Sequence, residues 1–562
     1  MAMRLTGPKV FALTLLVVAG HVVVPSLGAA VPTVDAAFIT GSSAYQAVTP
    51  ERLADTRPEE GSFGFTRLSD QVVRVQVAGR AGVPVGASAA VLTVTGVNTT
   101  AAGYVTVYPS GTNLPTASNV NFDGAGQVMA NMVTVKLGVD GAVEVYMQRP
   151  MDVAVDVSGA YVPVNGNVRS GRLVTLASGA FRVLDTRDRG AGVGGTATEY
   201  VDVSNAGVPA DAVAVVVNLT ATTTGTGFWT AFPLGESRPN ASNLNIDRPG
   251  QTRAGQAIVL LSGVAAFNVY SQGGGHLIVD VAGWFTGETA ALTTDGLFLP
   301  SNPTRLVDSR SSFVMPTWGG STLEFPVYGP GGQVSAVAVN ITGTQSMNVG
   351  FVTAFPSGVS RPQASNLNVD RWDQTIANHA VVRASTRGIS LFTQHGLHLI
   401  ADLNGWYLGP PSAAFLPPPI NPFYGPASAR SLHVNNIGLA TAVGTGTNLD
   451  AVANLGIAAT WNGAAELATP GNIVLFGHRT THGGPFRYIN EVPIGGSISL
   501  IGDDGHSYNY TVVRQDVTAP NFNVINNIGI RSGMATVQLV ACTPPGSVRF
   551  RHVTTARLTS VT

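Results

Sequence analysis

The sequence predicts an all-β protein of several domains, and three observations support this fold class. Its 562 residues exceed the size of one ordinary domain. Charged residues make up only 11%, too few for long solvated helices, and 66 glycines divide the hydrophobic residues into short segments. Short β-branched segments, such as 213–219 and 277–281, alternate with Gly, Pro, Asn and Ser. We therefore expect short strands joined by tight turns.

Charge and cysteine content exclude two features. The 31 basic and 32 acidic residues leave a net charge of -1, so there is no basic excess to neutralise a nucleic acid backbone. We expect no nucleic acid partner. Cys542 is the single cysteine, so no intrachain disulfide can stabilise the fold.

Residues 1–37 predict an export signal. Arg4 and Lys9 precede an apolar run at 10–24, and small residues follow this run. This order is typical of a secretory signal peptide, and the run is about as long as such a signal. We expect either a cleaved signal peptide or an uncleaved signal anchor. In both cases the rest of the chain is exported to the cell surface or envelope, and it is membrane-anchored if the signal stays uncleaved.

Three short motifs recur along the chain at a spacing of about 123 residues and define three modules, at 45–163, 170–287 and 292–408. The pattern of short strands and turns in each module predicts a β-sandwich or barrel. Because a module of about 120 residues can bury its own core, we expect independent beads along the chain. The motifs are Asp-Thr/Ser-Arg at Asp55, Asp185 and Asp308, Ser-Asn-x-Asn at Ser118, Ser242 and Ser365, and Asp-x-x-Gly at Asp156, Asp280 and Asp402.

These polar motifs have two interpretations. Asp and Asn beside aromatic residues suit a sugar, so a cell-wall glycan is one ligand class for the modules. A structural role is favoured, because Asp and Arg of one strand share a face and can pair, and Ser-Asn-x-Asn resembles a side-chain-capped turn. The modules resemble repeats of exported actinobacterial proteins. That resemblance implies a surface location and an accessory role.

Residues 409–428 are rich in proline and predict an extended spacer, so a separate domain begins at 429 and continues to 562. In this domain His478 and Cys542 each follow an apolar strand, and Arg549 or Arg551 opens the next strand. A lone cysteine is often an inert buried thiol. Here the prolines that follow it place it at a strand end, while histidine and arginine supply a proton carrier and a fixed positive charge. The pattern indicates a nucleophilic site.

Two segments of this domain carry a family resemblance. Residues 471–486 read GNIVLFGHRTTHGGPF, and residues 539–546 read LVACTPPG, with Arg551 nine residues after Cys542. They resemble the sortase family, most closely the actinobacterial class E or a related class. The resemblance implies an eight-stranded β-barrel and a cysteine transpeptidase. Such an enzyme cleaves a Leu-Pro-x-Thr-Gly-like sorting signal on a surface protein through a thioester, then joins the product to a peptidoglycan precursor or another amine.

The resemblance also implies residue roles. Cys542 is the nucleophile, His478 the general acid and base, and Arg551 holds the substrate backbone or the oxyanion. Spacing alone does not separate Arg551 from Arg549, because both share one face of a regular strand. Further candidates for the substrate groove are His482, Ala541, Thr543 and Arg549.

One departure from the family concerns the residues before the nucleophile. Sortases usually carry Thr at the positions of Gln538 and Ala541, so the missing hydroxyl beside Cys542 bears on substrate positioning. The spacing of His478 and His482 is that of a zinc-binding pair, but Arg479 replaces the glutamate of His-Glu-x-x-His and the segment follows a strand. We expect no metal and no other cofactor.

Two alternatives remain open. The chain could be a non-catalytic surface or adhesion protein whose C-terminal domain is degenerate, for which Ala541 is the best support. It could also be a cysteine L,D-transpeptidase acting on peptidoglycan stems. The Ser-x-Gly-Cys sequence typical of that family is absent around Cys542, which ranks this alternative last.

Overall fold

The computed structural model describes residues 40–312, 317, 319–416, 427–462, 464–467, 471–527 and 535–562. The predicted export signal at 1–37 lies outside the described residues, as does 417–426, half of the predicted spacer. Within the described ranges, no helix combines the length and the apolar character needed to cross a bilayer.

The described chain is almost entirely β-structure, which confirms the predicted fold class. The strands of module 1 are β1 (Ser43–Asp55), β2 (Phe65–Arg67), β3 (Val72–Gln76), β4 (Ala89–Val97), β5 (Gly103–Pro109), β6 (Val120–Phe122), β7 (Met129–Lys136), β8 (Ala142–Met147) and β9 (Asp152–Pro163). The strands of module 2 are β10 (Leu173–Thr175), β11 (Phe181–Asp185), β12 (Ala197–Asp202), β13 (Ala214–Thr223), β14 (Gly227–Pro233), β15 (Leu244–Ile246), β16 (Thr252–Leu260), β17 (Ala266–Ser271) and β18 (Gly275–Phe285).

Module 3 and the C-terminal domain contain the described α-helices. The elements of module 3 are β19 (Phe298–Asp308), α1 (Ser309–Ser312), β20 (Thr322–Phe325), β21 (Val334–Thr344), β22 (Gly350–Pro356), β23 (Leu367–Val369), β24 (Ile376–Arg383), β25 (Ile389–Thr393) and β26 (His398–Leu408). Those of the C-terminal domain are β27 (Ala429–Val434), β28 (Leu439–Gly446), α2 (Leu449–Ala453), β29 (Ala458–Trp461), β30 (Gly471–Phe476), β31 (Ser497–Gly502), β32 (Ser507–Thr518), α3 (Phe522–Asn527), β33 (Ala535–Thr543) and β34 (Phe550–Val561).

Each module is a sandwich of two antiparallel sheets. In module 1, the long strands β1, β9, β4 and β7 form one sheet, and β2, β3, β8, β5 and β6 form the other. Alternate residues of each strand point inward, so Val105 and Val145 of one sheet pack with Leu92 and Val155 of the other. Modules 2 and 3 repeat this order, with β18, β13 and β16 matching β26, β21 and β24.

The Asp-Thr/Ser-Arg motifs form ion-pair networks, as the structural interpretation predicted. In module 1, Arg57 Nη2 lies 2.6 Å from Asp55 Oδ2, and Arg52 joins Asp55 to Asp156 at 2.9 and 2.8 Å. In module 3 the hydrogen bonds from Arg310 lower the pKa of Asp308 to about 2. The Arg that precedes each motif by three residues completes the network, and the sequence analysis did not single it out.

The Ser-Asn-x-Asn motifs cap turns with their side chains. Asn119 Oδ1 accepts a hydrogen bond from the backbone N–H of Val107 at 2.7 Å, and Ser118 Oγ donates to Asn121 Oδ1 at 3.2 Å. The same bonds recur in modules 2 and 3. These residues therefore satisfy backbone groups of the sandwich, which is the structural role expected of polar residues near turns.

The modules are not independent beads, and in this respect the prediction is wrong. Tyr161, Phe285 and Tyr407 end the last strands of the three modules, are fully buried and pack in one shared cluster. The Tyr161 and Tyr407 hydroxyls lie 2.6 Å apart. Residue Ser43 of β1 also pairs with Phe298 of β19, which joins the long-strand sheets of modules 1 and 3 into one sheet.

The C-terminal domain is a closed eight-stranded barrel, as expected from the resemblance. Its strands follow the order β27, β28, β29, β30, β33, β34, β32 and β31. Strand β33 is central to the site because it pairs in parallel with β30 and antiparallel with β34.

Candidate active site

Strands β30 and β33 place His478 and Cys542 on the same face of the barrel wall. Phe476 and Val540 are paired residues of these parallel strands, and His478 and Cys542 each lie two positions further along. Because side chains alternate along a strand with a period of two, both point away from the barrel interior. The Cα atoms of paired residues on neighbouring strands lie about 5 Å apart, so this register places the two residues at neighbouring positions of the barrel wall.

Arg551 lies beside Cys542 on the third strand. The two are Cα partners in the antiparallel pairing of β33 and β34. Arg551 Nη1 donates to the carbonyl oxygens of Val548 at 2.9 Å and Phe550 at 3.2 Å, which orients the guanidinium. His478 follows β30, Cys542 lies on β33 and Arg551 on β34, and these three strands are neighbours in the barrel.

The three side chains line one cleft of about 550 Å³. One wall is aromatic, because Trp461 packs edge-on against Phe476 and Phe522 at ring distances of 5.4 and 4.3 Å. Polar groups line the rest of the cleft, among them Asn448 and Asp450 at the start of α2. A cleft with an apolar wall and a few convergent polar groups is typical of a binding site for an organic ligand.

His478 is oriented by helix α2. Its Nε2 lies 2.8 Å from Oδ1 of Asn454, the residue that caps the C-terminal end of α2, so the ring N–H donates to the amide oxygen. Partial burial lowers the pKa of His478, and the nearby His482 lowers it further, while the carboxylate of Asp450 opposes this effect. The environment therefore favours the neutral imidazole more than water does.

Arg479 holds the end of β33 next to Cys542, a role that was not predicted from the sequence. It is 7% exposed, and its guanidinium donates to Thr543 Oγ1 at 3.2 Å, Asn490 Oδ1 at 2.5 Å and the carbonyl oxygen of Arg487. These bonds tie the end of β33 to the segment that follows His478. The signal available in the sequence was that Arg479 is the one Lys, Arg, Asp or Glu residue of the segment 471–486.

Ala541 borders the cleft, but its side chain packs in the barrel core and is 3% exposed. It lies on the opposite face of β33 from Cys542 because the two residues are adjacent in the strand. A threonine hydroxyl at this position would therefore point away from the thiol. The structure therefore gives no support to the expectation that a missing hydroxyl at position 541 affects substrate positioning beside the thiol.

The other groove candidates lie outside the cleft lining. Thr543 is held by Arg479 through its hydroxyl. Arg549 precedes β34, is exposed and stacks its guanidinium 5.1 Å above the ring of Phe550. The ring of His482 lies 4.8 Å from that of His478. Within the described ranges, no group of three His, Cys, Asp or Glu residues is arranged to hold a metal ion, so the two histidines have no third protein ligand.

Comparison with known proteins identifies the C-terminal domain. Residues 432–559 match the family model described as the sortase domain. Sortase SrtE1 of Streptomyces coelicolor is 34% identical over 91 residues, which make up 15% of this chain and 26% of that protein. The chain thus spans about a quarter of the length of this curated relative. It carries a sortase domain in its C-terminal barrel, and the match to the family model does not extend to the three modules.

Several solved structures are similar to this part of the chain. Sortase E1 from Streptomyces coelicolor, with a tripeptide in its active site, is 24% identical, with 24% of this chain and 90% of that chain covered and a TM-score of 0.22. A sortase E mutant from Streptomyces avermitilis is 22% identical, with coverage of 25% and 93% and a TM-score of 0.21. The SrtA sortase from Actinomyces oris is 21% identical, with coverage of 25% and 84% and a TM-score of 0.21.

Proposed function

We propose that the C-terminal domain is a cysteine transpeptidase that cleaves a Leu-Pro-x-Thr-Gly-like sorting signal and transfers it to an amine of the cell envelope. The observation that carries this proposal is the convergence of Cys542, His478 and Arg551 on one cleft. A thiol nucleophile, a proton carrier and a fixed cation are the groups that acyl transfer through a thioester requires.

The first half-reaction forms the thioester. The thiol proton of Cys542 passes to His478, and the thiolate attacks the carbonyl carbon of the threonine in the signal. Arg551 donates hydrogen bonds to the oxyanion of the tetrahedral intermediate. The imidazolium of His478 then gives its proton to the departing glycine nitrogen, the C–N bond breaks, and the acyl group remains on the sulfur.

The second half-reaction releases the acyl group to an amine. The amine attacks the thioester carbonyl, and His478 takes the surplus proton from its nitrogen. The C–S bond then breaks, and the imidazolium returns this proton to the departing thiolate, which restores the thiol of Cys542. The acceptor is an amine of a peptidoglycan precursor or of another envelope component. The aromatic wall formed by Trp461, Phe476 and Phe522 suits an apolar side chain of the signal.

The partners and location follow from this chemistry and are part of the proposal. The substrates are exported proteins that carry a sorting signal, so enzyme and substrate meet at the cell surface or in the envelope. The export pattern at 1–37 supports this location. The adhesion alternative relied on Ala541, whose side chain faces the barrel core and leaves the thiol side of β33 unchanged.

A peptide assay tests the proposal. The protein is incubated with peptides of the Leu-Pro-x-Thr-Gly type and with a glycine oligomer as the amine, and products are followed by mass spectrometry. We expect an acyl adduct on Cys542 and an amine-dependent transfer product, both lost in Cys542→Ala. A folded protein whose thiol is alkylated by a small reagent, but which cleaves none of the peptides, would favour the adhesion alternative.

A further inference from the structure

A second cleft, of about 640 Å³, opens between modules 1 and 3, far along the chain from the barrel. It is open to solvent, and its lining is rich in polar groups. The side chains relevant to its chemistry are Tyr104, Asn121 and Gln148 of module 1 and Arg305, Arg310 and Asp373 of module 3.

Modules 1 and 3 pack through a contact equivalent to one between modules 2 and 3, which allows these two pairs to be compared. Arg305 of module 3 donates to the carbonyl oxygen of Thr116 at 2.7 Å, and Arg182 of module 2 donates to that of Gln363 at 2.8 Å. Thr116 and Gln363 are equivalent positions of modules 1 and 3. Residues that occur only around the cleft between modules 1 and 3 are therefore not part of this shared packing contact.

Asp373 is the first residue of this cleft that differs from its equivalents in the other two modules. It has a φ of 55°, whereas the equivalent residues are Gly126 with a φ of 75° and Gly250 with a φ of 78°. All three donate the same backbone hydrogen bond, which for Asp373 reaches the carbonyl of Ser346 at 2.7 Å. A side chain at positive φ costs backbone strain that glycine avoids, and the other two modules avoid it. The exposed carboxylate makes no hydrogen bond or ion pair with a described residue, so packing does not explain its presence.

The second difference is an uncovered aromatic pair. In modules 2 and 3, Arg238 and Arg361 stack 4.2 and 4.0 Å above the rings of Tyr270 and Phe392. The equivalent residue of module 1 is Leu114, which has no guanidinium to stack. The pair of rings in this module is Tyr104 and Tyr146, with centroids 5.9 Å apart.

The third difference is the hydroxyl group of Tyr104. The equivalent residues of modules 2 and 3 are Phe228 and Phe351, which have none. Tyr104 lines the cleft together with the amides of Asn121 and Gln148, so the wall offers an aromatic face beside several hydrogen-bonding groups.

The charges of the cleft select between ligand classes. Arg305 and Arg310 are both paired with Asp308, and Arg305 also with Asp402. Asp123, which also lines the cleft, is paired with Arg371. Among the described residues that line the cleft, Asp373 is therefore the charge without a partner, which disfavours phosphates and other anions. A carboxylate accepts hydrogen bonds from two neighbouring hydroxyl groups, and the ring of Tyr104 suits the apolar C–H face of a pyranose.

We propose that the cleft between modules 1 and 3 binds a short neutral saccharide, with a pyranose ring against Tyr104 and its hydroxyl groups donating to Asp373. The proposal is independent of the transpeptidase activity because none of these residues lies in the barrel. In this arrangement the modules hold the chain at a glycan surface.

Titration of the full chain with neutral trisaccharides of glucose, mannose and N-acetylglucosamine tests the proposal by calorimetry. We expect at least one of them to bind. Asp373→Gly and Leu114→Arg restore the residue types of the other modules, and each should weaken binding about tenfold or more. Arg361→Leu, the matched change in module 3, should leave the affinity unchanged. Because Asp373→Gly removes strain, its melting temperature should not fall, which separates lost binding from unfolding.

Three outcomes would overturn the proposal. These are no binding of any of the three saccharides, equal affinity of the two variants and the unchanged protein, or binding of a lysine-containing tripeptide in place of the saccharides. The last result would assign the cleft to a cationic peptide. Cys542→Ala should bind the saccharide like the unchanged protein, so a failure of this proposal is distinct from a failure of the transpeptidase assay.

Discussion

Cys542 and Arg551 are directly opposed residues on the antiparallel strands β33 and β34 of the barrel. Both line the same cleft, whereas Arg549 lies two residues earlier, before β34 begins, and is exposed. The pairing register thus distinguishes two arginines that the two-residue period of a strand leaves equivalent.

This register predicts different effects for the two arginines. Arg551→Ala should lower kcat/KM in the peptide assay by about 100-fold or more, because it removes a charged donor from the developing oxyanion. Arg549→Ala should retain the activity of the unchanged protein. Similar losses in both variants would contradict the assignment of Arg551.

The neighbours of His478 predict how its ring titrates. We expect its pKa, measured by NMR, to lie below the ordinary value of 6.5, because burial and His482 both disfavour the imidazolium. His482→Ala should raise this pKa by removing the imidazole that lowers it. Asp450→Asn should lower it further by removing an anionic one. His506→Ala, in the turn between β31 and β32, serves as the control and should leave the pKa of His478 unchanged. A shift of the same size in this control would contradict the electrostatic explanation.

The buried guanidinium of Arg479 predicts a loss of stability. Arg479→Met should lower the free energy of unfolding of the barrel by about 2–3 kcal/mol, because Thr543, Asn490 and the Arg487 carbonyl lose a charged donor. Hydrogen exchange of the β33 amides measures this change. Arg487→Ala, at an exposed side chain, should alter it by less than about 0.5 kcal/mol. Unchanged exchange in Arg479→Met would show that its bonds do not hold the strand end.

The shared aromatic cluster predicts that the three modules unfold together. Tyr161→Ala should destabilise them by about 3–5 kcal/mol, because a large buried ring and its bond to Tyr407 are lost. Backbone amide hydrogen exchange should then become faster in modules 2 and 3 as well as in module 1. Tyr200→Ala, at a side chain that is 55% exposed, provides the control. An effect confined to module 1 would restore the picture of independent beads.

The structural role of the polar motifs could be read from the sequence because it is local. Asp55 and Arg57 are two residues apart, and Ser118 and Asn121 three apart, so their pairing depends only on the geometry of one strand or one turn. The packing of the modules could not be read in this way. Tyr161 and Tyr407 each look like an ordinary residue at the end of a strand, and only the fold brings their hydroxyls together.

The sequence by itself determined the all-β class, the threefold repeat, and the residue types that a thioester mechanism needs in the C-terminal domain. These follow from composition, short-range periodicity and a distinctive motif, which are properties of neighbouring residues. The tertiary structure decided three further points. Arg551 is the arginine opposite Cys542, Arg479 is hydrogen-bonded to the end of β33, and Ala541 points into the barrel. Each of these depends on the register between strands that are distant in the chain, and a shift of one residue would reverse which side chains face the cleft.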